Sequence, residues 1–377
     1  MNHIVKLGTV ATYVNGYAFK PSDWSDVGVP IIRIQDLTGN SYQMNRFSGE
    51  YDKKYEVQNG DVLIAWSASL GVYVWKSEKA VLNQHIFKVY FDKVDVDKDF
   101  FVYQMERLLQ KASSQAHGAT MRHLTKVVFD NLPFYLPDKE TQIEIAKRLS
   151  TVTALIDLRK KELVKLDELV KSRFIEMFGD PNSKLGKYSQ QALESICSKI
   201  NDGEHGSVPR IEKGIIFLNA KNIKKNGTID WEQVTYIDEV IHNRIYKRCN
   251  PEPGDILLTT TGTIGNACIV PCVEQFSMDR GITLVKPNHK IVDSIFLITL
   301  LRSQYLQSCM NQNIHASAIG HLFLNKVKKL PVFVPPIDLQ NEFADFVKSI
   351  DKSKLAIQKS LDDLETLKKS LMQKYFG

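Results

Sequence analysis

HGATMRHLTKVVFDNLPFYLPDKETQIEIAKRLSTVTALIDLRKKELVKLDELVKSRFIEMFG (117–179) returns 198 positions later as HASAIGHLFLNKVKKLPVFVPPIDLQNEFADFVKSIDKSKLAIQKSLDDLETLKKSLMQKYFG (315–377). Aligned without a gap, 17 of the 63 positions are identical, among them His117, His123, Pro133, Pro137, Gln142, Leu163, Leu166 and the closing Phe178-Gly179. A repeat fixes architecture before any motif does. This period is far longer than a solenoid repeat and matches a whole domain, so it predicts two copies of one unit and a pseudo-two-fold molecule.

Upstream the repeat continues more faintly. NGDVLIAWSASLGVYVW (59–75) matches PGDILLTTTGTIGNACIV (253–270), LNQH (82–85) matches MDRG (278–281), and VPIIRIQDL (29–37) matches IIFLNAKNI (215–223). The tail of each unit is preserved and the head has diverged.

The tails read as long helices. Ile145, Leu149, Val152, Ile156, Leu163, Leu166, Val170 and Met177 follow a four-three spacing, with Arg159 and Arg173 at two seam positions. The second seam is Phe343, Val347, Ile350, Lys354, Ile357, Leu361, Leu364, Lys368, Leu371 and Tyr375. A heptad register held this long signals a coiled coil. Some 40 residues at about 1.5 Å each span roughly 60 Å. Because both helices belong to one chain and are equally long, they are expected to pair with each other, antiparallel, rather than with a second chain. Asp138 is the expected N-cap of the first, and Pro336 is expected near N1 of the second. LPFYLP (132–137) and LPVFVPP (330–336) precede them as proline-bounded strands.

The heads read as mixed α and β. Strands are expected at 29–35, 61–66, 71–76, 84–91 and 127–136, with counterparts at 215–220, 255–260, 265–270, 281–286 and 327–334. Asn59-Gly60 and Pro253-Gly254 are turn signals. Helices are expected over 99–112 and 292–309. The polar, poorly patterned stretches 36–58 and 221–252 suit binding loops. The fold class is therefore α+β: two pseudo-two-fold-related mixed units separated by two long helices that form an antiparallel coiled coil.

Composition sets outer bounds. A chain of 377 residues holds about two domains, and 43% hydrophobic content supports real cores. No apolar run approaches the roughly 20 residues of a membrane span. MNHIVKLGTV has no signal-peptide core, so the expected location is the cytoplasm. All five cysteines (Cys197, Cys249, Cys268, Cys272, Cys309) lie in the second half, which argues against a disulfide framework; Cys268-x3-Cys272 has no second pair, so ordinary thiols are expected there. Net charge is zero over 1–138, +1 over 139–180, +5 over 181–336 and zero over 337–377. The local excess suits phosphate contact.

No P-loop, HExxH or GxSxG is present. DNLPF (130–134) lacks the second proline of the amino-methyltransferase NPPF motif, and its repeat KKLPV (328–332) keeps neither Asn nor aromatic. PDKE (137–140) repeats as PPID (335–338) without the lysine, so it marks a helix start and not a nuclease. His117-x5-His123 recurs as His315-x5-His321 without further ligands at metal spacing. These histidines are read as structural or phosphate-facing. No catalytic residue and no metal site is expected.

These residues carry a family resemblance. VKLGTVATYVNGYAFKPSDWSDVGVPIIRIQDLTGN (5–40) resembles the start of a target recognition domain. GDVL, GDIL and the HGATMRHL-to-LPFYLP stretch do so too, and KSRFIEMFGDP (171–181) resembles the region between two such domains. The whole chain is similar to the specificity (S) subunits of type I restriction-modification systems, although LESICSKINDGEHGSVPRIEKG (193–214) lacks the GYAF pattern. The resemblance implies target recognition domains over 1–138 and 181–336 and conserved helical spacers over 139–180 and 337–377. It implies a bipartite double-stranded DNA target, helices that set the distance between the halves, two adenine-methylating modification subunits and the restriction subunits. The chain alone would be non-catalytic and hold no cofactor; S-adenosylmethionine, ATP and Mg2+ would enter through the other subunits, in defence against foreign DNA. Two other readings stay open: a DNA-reading subunit of another restriction system with a fused methylase-nuclease partner, and a coiled-coil scaffold that binds protein only.

Base edges need polar side chains and phosphates need Lys and Arg. Candidate DNA contacts are Lys20, Arg33, Lys53, Lys54, Lys76, Gln84 and Arg122 in the first domain. In the second they are Lys221, Lys224, Lys225, Arg244, Arg248, Thr261 and Arg280. The expected helix-pair seam is Leu149, Val152, Ile156, Leu163, Leu166 and Val170 against Val347, Ile350, Ile357, Leu361, Leu364 and Leu371.

Overall fold

The computed structural model describes residues 4–40, 43–115, 125–181, 188–313 and 320–377. The chain divides into two compact units, one of Met1–Lys161 with Gln358–Gly377 and one of Glu162–Ile357. Each unit joins a head to the beginning of one long helix and the end of the other.

In the first unit a four-stranded antiparallel sheet runs in the order Thr12–Asn15, Ile86–Tyr90, Val62–Ala65, Gly71–Val74. A smaller sheet orders Arg46–Phe47, Val29–Ile32, Ala80–Leu82 and Glu56–Val57, with a parallel pairing of Ile31 with Val81. Ile4–Lys6 pairs with Pro133–Tyr135. The second unit repeats this: Cys197–Asp202, Ile282–Pro287, Ile256–Thr259, Ala267–Ile269 in one sheet, and Thr235–Ile237, Ile215–Leu218, Ser277–Met278 in the other, again with one parallel pairing. Gln190–Ala192 pairs with Pro331–Phe333. The turn glycines act as expected: Gly60 (φ 94°) and Gly254 (φ 92°) adopt the left-handed conformation ahead of equivalent strands.

Three differences from the sequence expectations have physical causes. The strands expected from 127 and 327 begin instead as helical turns, Lys126–Asp130 and Leu324–Lys328, and only Pro133–Tyr135 and Pro331–Phe333 are extended. The apolar run Val127-Val128-Phe129 imitates a strand, yet only Phe129 is buried and both valines are exposed. The helix expected over 292–309 is two helices, Ser294–Leu301 and Gln304–Gln312, because Ser303 caps the second through the Leu306 amide. The stretch 221–252 contains a helix, Glu239–Arg248, capped by Asp238 accepting from the Val240 amide; its four-three pattern is short and mostly polar.

The long helices are Lys139–Phe178 and Ile337–Phe376. Asp138 caps the first by accepting from the Thr141 amide at 2.9 Å, which holds its carboxyl below the usual range. Pro336 sits one place before the second helix, outside N1. The pairing is antiparallel. In the first unit Arg148 meets Tyr375 at 3.4 Å and Lys160 meets Glu365 at 3.0 Å; in the second Asp167 meets Lys354 at 2.6 Å and Arg173 meets Glu342 at 3.0 Å. Ile145 and Leu149 enter the first core together with Met372 and Phe376. Phe174, Met177 and Phe178 enter the second together with Phe343 and Val347.

Two repeated polar devices hold each head to its helix and sheet. Gln142 accepts from the Asp97 amide and donates to the Pro137 carbonyl. Gln340 accepts from the Asp293 amide and donates to the Ile291 and Pro335 carbonyls. Lys88 pairs with Asp61 at 2.7 Å, and Lys286 with Asp255 at 2.7 Å and Glu252 at 2.9 Å. Burial pushes the Cys268 thiol up to about 12. Among the described residues no cluster of metal-ligating side chains forms, and no helix is long and apolar enough to cross a membrane.

Candidate nucleic-acid interface

The same backbone clasp closes the tip of the main sheet in both units. In the first, Gly16 donates to the Ile86 carbonyl (3.1 Å), Tyr17 to Leu82 (2.8 Å), Gln84 back to Tyr17 (2.8 Å), Asn83 to Ile32 (3.0 Å) and Trp66 to His85 (3.2 Å). In the second, Gly203 donates to Ile282 (3.0 Å), Glu204 to Met278 (2.8 Å), Arg280 back to Glu204 (2.9 Å), Asp279 to Leu218 (3.0 Å) and Thr260 to Gly281 (2.8 Å). Tyr17 bridges Asn83 and Glu204 bridges Asp279, both in parallel. The glycines are required by close approach: a Cβ on Gly16 would strike the Asn83 carbonyl, and one on Gly203 the Asp279 carbonyl. Asn-Gly-Tyr (15–17) and Asp-Gly-Glu (202–204) are therefore equivalent, although 193–214 lacks the GYAF pattern.

Around the second clasp the structure gathers several sequence candidates. A Cβ built on Gly281 would lie 3.3 Å from Ala220, the neighbour of Lys221, and 3.7 Å from Thr261. Thr261 also meets His321 Nδ1 at 2.8 Å, and the two residues form a β-bridge. His321 is one of the repeated histidines and packs edge-on against Phe323. Arg280 and Lys221 are exposed, with no side-chain hydrogen bond or ion pair among the described residues. Burial raises the Asp279 carboxyl, against the pull of its bond from the Gly281 amide and of Arg210 and Arg280.

Other candidates are already engaged. Arg248 donates to the Asp202 and Gly203 carbonyls at 3.2 and 2.5 Å and lies 3.8 Å from Glu204; Arg244 lies 3.9 Å from Glu204. Lys224 pairs with Asp230 at 2.8 Å, and that bond holds the Asp230 carboxyl low. Lys225 is exposed.

The first unit presents aromatics where the second presents arginines. Tyr17 is 47% exposed, 4.9 Å from Phe19 and 5.6 Å from Tyr55, and Lys54 lies over the Tyr55 ring at 4.9 Å. Lys54 also pairs with Asp52 at 2.9 Å. Arg33 is half-buried, bonded to Asp36 and the Gln43 carbonyl and stacked over Trp24 at 5.6 Å. Lys20, Lys53 and Lys76 are exposed; Gln84 is half-buried with no side-chain bond among the described residues. Arg122 lies outside the described residues, as do His117, His123 and His315.

The clasp also involves Tyr17, Asn83 and His85 in the first unit and Glu204 and Asp279 in the second, none of which the sequence reading named as DNA contacts, and it brings His321, read there as structural or phosphate-facing, against Thr261. The signal was available as two Gly-containing dipeptides, Asn15-Gly16 and Asp202-Gly203, each before a polar turn.

Along the helix pair, Leu149, Val152, Ile156, Val347, Ile350 and Leu361 are buried, while Leu163, Leu166, Val170, Ile357, Leu364 and Leu371 are half-buried. Apolar side chains also face outward: Ile143, Leu155 and Leu367 in the first unit, Val164, Ile175 and Leu355 in the second.

The sequence profile of the type I restriction modification DNA specificity domain matches residues 2–168 and again 200–366. The chain is 26% identical to the type I restriction enzyme EcoBI specificity subunit of Escherichia coli, over 99% of this chain and 85% of that one. It is 22% identical to the MjaVIII specificity subunit of Methanocaldococcus jannaschii, over 98% and 90%. Two solved structures share the fold. One is the type I restriction-modification S subunit from M. genitalium (TM-score 0.60, 16% identity, 99% of this chain and 96% of that one); the other is a chain from a study of complex assembly in the type I R-M system (TM-score 0.59, 14% identity, 99% and 97%). A domain profile that matches twice, on the same repeat that the two clasps and the two paired helix ends display, places this chain in the family of type I restriction-modification specificity subunits.

Proposed function

We propose that the chain reads a bipartite double-stranded DNA target, one half with each head, as the specificity subunit of a type I restriction-modification complex. Target recognition domains span 1–138 and 181–336, and the helical spacers 139–180 and 337–377 carry the partners. The observation that supports this most is the pair of matching clasps bearing different polar side chains: one scaffold presents two surfaces, as two half-sites require. The outward apolar residues on the paired helices suit helical partner segments, here two adenine-modifying subunits, with restriction subunits joining through them. The chain itself supplies no chemistry; methyl donor, ATP and Mg2+ enter through those partners. The test is replacement of residues 1–138 by the equivalent part of a relative, followed by methylation mapping of DNA modified by the complex. One half of the modified sequence should change and the other should stay. A change in both halves, or in neither, overturns the modular reading.

A further inference from the structure

We propose that the hairpin turn at the tip of each main sheet, Ser67–Ser69 in the first unit and Thr261–Thr263 in the second, takes a phosphate of the DNA backbone and so grips both half-sites independently of their sequence. This rests on the DNA-reading function above and names a site for it that reads no base.

The turn joins two neighbouring strands of the main sheet, Val62–Ala65 to Gly71–Val74 and Ile256–Thr259 to Ala267–Ile269. Its middle residue has the same uncommon backbone in both units, Ala68 at φ 58° and Gly262 at φ 72°. That left-handed conformation suits glycine, asparagine and aspartate, yet the first unit adopts it with alanine. A hydroxyl residue stands on either side of it in both units, Ser67 and Ser69, Thr261 and Thr263. The turn faces outward: Ala68, Ser69, Gly262 and Thr263 are exposed, and a Cβ built on Gly262 meets nothing within 4 Å. Its first arm is tied to the clasp by the Trp66 amide on the His85 carbonyl and by the Thr260 amide on the Gly281 carbonyl.

The second unit shows what surrounds the turn. Thr263 Oγ1 lies 3.5 Å from the Ala220 carbonyl, and Thr260 Oγ1 lies 3.5 Å from the Arg280 carbonyl. These contacts set the turn between Lys221 and Arg280, the two cations whose exposed side chains have no hydrogen bond or ion pair among the described residues. Thr261 holds His321 through Nδ1 at 2.8 Å, and the other ring nitrogen has no partner among the described residues. The carboxylates of the clasp do not oppose an anion here: Asp279 accepts from the Gly281 amide, and Glu204 lies against Arg244 and Arg248. Two unpaired cations, hydroxyl donors and an imidazole around an open turn are the chemistry of a phosphate site. The phosphodiester is also the feature that any two half-sites share, so a contact with it can be built alike in both heads.

The test uses the complete complex and compares two variants of nearly equal shape. Gly262→Asp and Gly262→Asn both fit the left-handed turn and the open space beside it, and only the first places a negative charge there. Relative to Gly262→Asn, Gly262→Asp should weaken binding to the target and to unrelated duplexes by the same factor and lower the salt slope by about one. The methylated sequence should stay the same in both. Ala68→Asp against Ala68→Asn should do likewise in the first unit. Equal binding by the aspartate and asparagine variants, or a changed methylated sequence, overturns the proposal. A second measurement starts from the unaltered complex and replaces the phosphates of the target one at a time by neutral methylphosphonate. One linkage in each half-site should weaken binding. Gly262→Asp, and independently the exposed-site variant Lys221→Ala, should silence the linkage in one half and leave the other half's linkage sensitive. If neither variant silences any linkage, the turn does not hold a phosphate. An unaltered complex whose methylation pattern is not bipartite would instead sink the two-half-site reading and leave the phosphate contact standing.

Discussion

The two units are built on one plan and differ at their surfaces. Both place the same main-sheet order, the same Lys–Asp pair and the same buried glutamine beneath a clasp of matching backbone bonds. On that base the first unit carries Tyr17, Trp24 and a short Lys53–Tyr55 turn, and the second carries Glu204 and a ten-residue helix ending in Lys247-Arg248. What recurs is what packing demands. What varies is found beneath the surface as well as on it: buried Phe87 of the first unit is replaced by buried Thr283 in the second, where it bonds Asp202.

The largest test of this comparison concerns the shared part. Phe178 is 2% exposed and Phe376 is 8% exposed at equivalent helix ends. Phe178→Ala should cost about 3–5 kcal/mol and Phe376→Ala toward the lower end of that range, read by urea unfolding. Equal losses would mean that the two cores are more alike than their burial indicates. Next come the glutamines. Gln340→Ala orphans three backbone groups and Gln142→Ala two, each change costing on the order of 1–3 kcal/mol; thermal melting should rank Gln340→Ala as the worse. Gly203→Ala should open the second clasp and reduce affinity for its half-site about ten-fold or more, the size of a lost base contact, with Gly16→Ala doing the same for the first. Competition binding with half-site variants checks this, and full affinity in both would separate the clasp from DNA reading. The smallest effect is electrostatic. Lys221→Ala should weaken binding to all sequences and lower the salt slope by about one. Lys224→Ala should lower it less, because Asp230 already neutralises that lysine.

The architecture was legible because heptads and prolines are local signals that survive divergence. Leu149, Ile156 and Leu361 lie in the seam that the four-three spacing indicates. The clasp was harder to see. Its bonds join residues from 19 to 79 positions apart through backbone atoms, and only Gly16 and Gly203 leave a trace in the sequence. Lysines were easy to nominate and hard to rank, since composition does not show that Lys224 is paired while Lys221 is not.

The placement of the helix ends bears on how the chain is made. Met372 and Phe376 are buried in the same core as Leu7, Val62 and Phe100. The first head emerges from the ribosome early, but its last core residues are synthesised some 200 positions after Lys161. At about 5–20 residues per second that interval is on the order of 10–40 s. Throughout it the first head waits with part of its apolar floor uncovered, a natural client for a chaperone. A premature stop near the end of the message would therefore damage the domain at the beginning.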